Sequence, residues 1–250
     1  QIGGLYNQNQ DFKGLQIAGL VNKSKDINKG MQISGIVSRA RAIGKGMQLS
    51  GVANSAKTIN GAQVSGLLNF AKNINGFQLG IVNISDSLEG VSIGPINYSK
   101  NGKHSFSVSV QENQQVNISY KSGSYKLYNI LQAGVINTSN IGSFYGLGYG
   151  LGSEWRIKNK IKMATELVNL FYKGKKEPGN DFSTISLHPL VIYQLQKNIQ
   201  LFAGPRLQYR LPVYNRPNEY YSDLHKNSIP LGGSNNTTLH LGFNVGVNIF

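Results

Sequence analysis

Apolar and polar residues alternate along this chain in two rhythms, and the change of rhythm divides it. From Gly14 to about Ser99 one phrase, Gly-x-Gln-Φ-x-Gly-Φ-Φ-Asn with Φ apolar, recurs with small edits, opening at Gly14, Gly30, Gly46, Gly61, Gly76 and Gly90. Steps of 16, 16, 15, 15 and 14 residues are too short for helical-pair repeats and suit a coiling strand unit, so the spacing predicts a β-solenoid over residues 1–101. A repeat this short cannot bury an apolar face by itself. Ile17, Ile33, Leu49, Val64, Leu79 and Ile93 are therefore expected to stack as an interior column, with Ile27, Ile43, Ile59, Ile74 and Leu88 as another. Small residues at 24, 40, 56, 71, 85 and 99 precede the second column where the wall must be thin. Glycines at the bends are expected to supply positive φ. Gln16, Gln32, Gln48, Gln63 and Gln78 recur in register, as do Asn22, Asn54, Asn69, Asn83 and Asn97, so their amides are expected to bond along the stack. The last copy runs through Pro95 to Asn101 into the next element with no capping segment between them.

Beyond Asn101 the period becomes two. Phe106, Val108 and Val110 alternate with Ser105, Ser107 and Ser109, and Val116, Ile118 and Tyr120 answer after a short connection at Glu112 to Gln115. The same alternation runs from Asn198 to Pro212, crossed only by Phe202, and from Leu239 to Ile249. Strands near 103–111, 115–121, 124–137, 142–157, 160–173, 182–196, 198–212 and 236–250 make eight. The longest exceed the ~9–11 residues that cross a bilayer obliquely, where ordinary strands have ~5–6. Tight turns at Lys158-Asn159 and Lys197-Asn198 set against longer loops at Lys173 to Asp181 and Val213 to Asn235 match the short-periplasmic, long-external pattern of outer-membrane barrels. The expected fold is all-β: a short-period solenoid, then an eight-stranded antiparallel transmembrane barrel over residues 102–250. An even strand count puts both barrel ends on the periplasmic side, and Phe250 ends the chain as an aromatic out of phase with the preceding alternation.

The repeat carries a resemblance. The runs GLQIAGLVN, GMQISGIVS, GMQLSGVAN, GAQVSGLLN and GFQLGIVN resemble the surface-repeat proteins of Gram-negative outer membranes, here joined to a small outer-membrane β-barrel. The resemblance covers residues 14 to 99. It implies location and architecture, and it transfers no catalytic residue.

Composition narrows the chemistry. There is no Cys among the 250 residues, which removes disulfide frameworks, thiolate metal sites and Cys nucleophiles. No apolar run approaches the ~20 residues of a spanning helix, so any crossing must be made by a barrel. The chain begins at Gln1 without Met or an apolar leader and reads as a mature exported protein. A net charge of +14 is spread along the chain, ten basic residues against four acids up to residue 101 and fifteen against seven beyond it. Without a basic stripe interleaved with stacking aromatics, nucleic acid is not an expected partner. Outer-membrane lipid and lipopolysaccharide are, together with other outer-membrane or periplasmic proteins.

An eight-stranded barrel is just wide enough for side chains to fill it. By phase, Glu154, Arg156, Glu166, His188, Arg206, Arg210 and His240 point inward and are expected to pair with one another. No two of His104, His188, His225 and His240 share a ligand spacing, so no metal site is expected. The glycines between Gly146 and Gly152 lack the Lys-Ser/Thr of a phosphate loop and instead make room inside a narrow barrel. No cofactor motif is present. The long loop with Tyr214, Arg216, Tyr220, Tyr221 and His225 has the composition of a partner-contact surface. These features point to a non-enzymatic structural or accessory subunit of an outer-membrane protein complex, with a surface adhesin or ligand-binding receptor as the alternative.

Overall fold

The structure, a computed structural model, describes residues 1–112, 114–138, 142–175, 181–212, 227–233 and 237–250. Every regular element among them is a β-strand. The chain forms two compact units: Gln1–Lys103 with Ser122–Asn129, and His104–Lys121 with Ile130–Phe250.

The first unit is a parallel solenoid. Coil follows coil in strict register: Gln16 lies beside Gln32, Gln32 beside Gln48, Gln48 beside Gln63 and Gln63 beside Gln78. The array starts earlier than the repeat motif. Ile2 and Gly3 pair with Ile17 and Ala18, and Tyr6 to Phe12 pair with Val21 to Ile27, so a further coil precedes Gly14 without its signature.

The interior corrects the expected phase. Gln16, Gln32, Gln48, Gln63 and Gln78 are each 0% exposed, whereas Ile17, Ile33, Leu49, Val64, Leu79 and Ile93 lie on the outer face, from half-buried to exposed. Strand geometry permits only one choice, because neighbours on a strand point to opposite faces and an inward Gln forces the next residue outward. Burying amides is tolerated because they bond to one another. Gln32 Nε2 donates to Gln16 Oε1 at 2.8 Å, Gln48 to Gln32 at 2.9 Å, Gln63 to Gln48 at 2.8 Å and Gln78 to Gln63 at 2.9 Å. The asparagines form a second ladder, with Asn69 Nδ2 donating to Asn83 Oδ1 at 2.9 Å and Asn83 Nδ2 to Asn97 Oδ1 at 2.8 Å. Ile27, Ile43, Ile59, Ile74 and Leu88, with Ala40, Ala56 and Ala71, make the apolar core as expected.

The glycines are also there for another reason. Within the array positive φ occurs only at Gly14 and Gly30. At Gly35, Gly51 and Gly66 a Cβ would lie 2.1 or 2.2 Å from the carbonyl oxygen of the glycine one coil earlier, so close coil-to-coil approach excludes any side chain. The last coil is capped after all. Asn129 donates from Nδ2 to Ser92 O at 2.9 Å, and its Oδ1 accepts from Gly94 N at 3.3 Å. Asn97, the last rung of its ladder, reaches Ser122 Oγ at 3.5 Å. The cap comes from a segment distant in sequence, which no reading of the repeat alone would show.

The second set of strands closes into an antiparallel barrel. Lys103–Gln111, Val116–Gly123, Tyr128–Thr138, Gly142–Arg156, Ile161–Gly174, Phe182–Gln196, Ile199–Pro212 and Thr238–Ile249 follow one another around the ring. Pairing of Phe106 with Ile249 through to Gln111 with Asn244 closes it. A short strand, Ile229–Gly233, adds to the last one outside the ring. Four of these strands have 14 or 15 residues. Their alternation is apolar outward and polar inward: Leu147 is 73% exposed and Leu167 51%, while Ser186, Gln208 and Asn248 are buried. A barrel wrapped in lipid has this arrangement, since nothing outside it can satisfy a polar group.

Candidate functional site

The inward face of the barrel holds a group of buried charged and amide side chains. Glu154, Glu166, His188, Arg206, Arg210 and His240 are buried there. Arg156 is not. The Gly142–Arg156 strand ends on it and the chain turns at Ile157, leaving its side chain exposed at the barrel's edge, so it drops out of the interior set. Tyr214, Arg216, Tyr220, Tyr221 and His225 lie outside the described residues.

Glu112, Glu154, Glu166 and Arg206 are paired, through partners that strand phase alone did not supply. Lys121 Nζ meets Glu166 Oε1 at 2.6 Å with both side chains nearly sealed, and Lys162 Nζ meets Glu154 Oε1 at 2.7 Å. Arg206 bonds Glu112 through Nη2 and donates from Nη1 to Gln111 Oε1 at 2.6 Å. The other oxygen of Glu112 accepts from Phe243 N at 2.9 Å. Gln115 Nε2 donates to the Tyr172 hydroxyl at 2.5 Å and to Asn117 Oδ1 at 2.8 Å. Burying such charges is tolerated only when each finds an opposite charge and further hydrogen bonds, and this cluster provides both. Lys121 was legible, since it continues the inward series Asn117, Ser119. Glu112 was not: it sits in the connection between strands, where phase says nothing, and it turns back over the ring to reach Arg206.

Apolar groups fill part of the remaining interior. Phe202, which interrupts an otherwise polar inward series, packs with Ala164, Leu190 and Ile192, and Lys121 Nζ lies 4.8 Å from its ring centre. The glycines of the Gly142–Arg156 strand make room as expected: a Cβ on Gly146 would lie 2.5 Å from the Tyr172 ring. Tyr172 in turn stacks on Phe182 at 4.9 Å.

Two histidines have polar neighbours. His188 Nδ1 lies 3.3 Å from Asn244 Nδ2, and His240 Nδ1 lies 3.1 Å from Ser228 Oγ. A hydroxyl beside an imidazole is the first requirement of an activated serine, and a third group that orients the ring is the second. The contact at His240 uses Nδ1, the nitrogen that a triad gives to the orienting carboxylate. Among the described residues there is no cluster of three or more His, Cys, Asp and Glu able to hold a metal.

No family model matches the chain, and no curated protein does. Among solved structures, that of Neisserial surface protein A (NspA) is similar over 58% of this chain and 92% of its own, at 12% identity and a TM-score of 0.38.

Proposed function

We propose that this protein is a non-enzymatic outer-membrane barrel that acts as a structural or accessory subunit of an outer-membrane assembly. One observation carries the reading: the ring is apolar outside, while inside three acids are each closed on a neighbouring cation. Lys121 with Glu166, Lys162 with Glu154 and Arg206 with Glu112 leave those groups neutralised in pairs rather than converging on a shared space for substrate. What remains for function is surface. Partners are then lipid along the wall and other envelope proteins beyond it.

The test is native purification from membranes in mild detergent, with the neighbours identified by mass. Co-purification at fixed stoichiometry supports the subunit role, and a lone monomer argues against it. A direct check on catalysis uses the contact between Ser228 and His240. Purified protein incubated with phospholipid and lipopolysaccharide should release no fatty acid, and release abolished by Ser228→Ala would make it an enzyme instead.

A further inference from the structure

The corrected phase of the solenoid exposes a face that the repeat was expected to bury. Residues 15 to 21 of the first motif copy, and their equivalents in the next five, point outward at four positions per coil. These positions hold only Leu, Ile, Val, Met, Phe, Ala or Pro, without one charged or amide side chain. The column Leu20, Ile36, Val52, Leu67 and Ile81 is 39 to 51% exposed throughout. Behind that skin lie the buried amide ladders. The first unit therefore repeats the polarity of the barrel, polar within and apolar without, along one arc of its circumference.

The remainder of the circumference is polar, with more cations than acids. Lys25, Arg41, Lys57, Lys72, Asp86 and Lys100 form an exposed column in which Arg41 pairs with Asp26 and Lys100 with Asp86, while Lys23 and Arg39 stand nearer the apolar arc on one side and Lys29 and Lys45 border it on the other. Aromatic rings stand at the same border, Phe70 and Tyr98 continuing the column that begins with Lys23 and Arg39. An apolar arc edged by cations on both sides, and by aromatics on one, fits a layer that is hydrocarbon in depth and anionic phosphate at its surface. A protein partner would have to present an unbroken apolar face of equal length, whereas specific interfaces interleave polar groups at the rim.

We infer that the solenoid is itself a lipid-inserted body: its apolar arc sits in the acyl layer of a leaflet and its Lys and Arg columns engage anionic phosphate head groups. The inference rests on the reading of the protein as a membrane protein and goes beyond it, because it takes the solenoid out of the aqueous phase.

The chain contains no cysteine, so single thiols can be placed cleanly. Full-length Val52→Cys, Leu67→Cys, Lys57→Cys and, as a barrel control, Leu167→Cys would each carry a bimane label in vesicles of phosphatidylcholine and phosphatidylglycerol. Quenching is then read from brominated acyl chains and from aqueous iodide. Labels at 52 and 67 should lose most of their emission to the brominated chains and little to iodide, with the reverse at 57. Quenching at 167 without quenching at 52 and 67 overturns the inference and leaves the barrel reading standing. Loss of lipid quenching at 167 removes the barrel reading as well. Protection of 52 and 67 from both quenchers means that protein covers the arc, and also overturns the inference.

Discussion

Gln48 receives a hydrogen bond from Gln63 at 2.8 Å through the same side chain with which it donates to Gln32 at 2.9 Å, and it is wholly buried while doing so. Each such rung satisfies two neighbours, so removing one leaves two amides short of a partner. Gln48→Ala should destabilise the first unit by about 1–3 kcal/mol, the cost of a buried polar group left unmade. Gln48→Glu should cost more, since it adds an uncompensated charge. Leu49→Ser, one residue away on the outer face, should change resistance to proteolysis far less. Limited proteolysis of the three variants checks the order, and equal sensitivity would mean that the amides are not structural.

The apolar column on the opposite wall admits a similar contrast. Ile59 is 0% exposed between Ile43 and Ile74, whereas Lys57 is exposed on the same strand. Ile59→Asp buries an unpaired carboxylate and should destabilise by several kcal/mol, while Lys57→Asp should be nearly silent. Thermolysin digestion of the folded variants separates them.

Acid should loosen the solenoid at identifiable places. Hydrogen bonds from Arg41 hold the Asp26 carboxyl below its usual range, and Lys100 does the same for Asp86. A carboxyl whose folded pKa is depressed stabilises the fold above its unfolded value, near 3.8 here, and loses that contribution as pH falls through the folded value. Unfolding followed from pH 7 downward should therefore show the contribution of these pairs intact to about pH 4 and lost progressively below it. The double variant Asp26→Asn with Asp86→Asn should flatten that acid limb. Because both pairs are exposed, high salt should shrink the difference.

Much of this architecture was legible from pattern alone. Eight strands could be counted because inward Ser, Gln and Asn alternate with outward Val, Leu and Phe, and the period of two needs no knowledge of which side is wet. The solenoid's coils were legible for the same reason, from the register of Gln16 with Gln32 and beyond. What pattern could not decide was which alternating face is the inside. Hydrophobicity favoured Ile17 and its column, yet the ladder makes Gln16 the inward residue, and only the coil-to-coil hydrogen bonds distinguish the two. Glu112 and the Asn129 cap were hidden differently, since each acts across a large sequence separation from a position outside any repeat.

The Arg206–Glu112 pair gives the sharpest test of the barrel. Both side chains are at most 1% exposed, so removing one partner leaves the other charged and desolvated. Arg206→Met alone should lower stability by about 3–5 kcal/mol, as should Glu112→Leu alone. Joining the two removes the stranded charge and should recover much of the loss, although Gln111 and Phe243 N then lack the partners they have now. Folded eight-stranded barrels migrate differently on gels before and after boiling, so the temperature at which the folded band disappears reports each variant. Two single variants well below the double variant are the expected result. Losses that simply add would mean that the two groups do not depend on each other, and the interior would then have to be held by its other pairs.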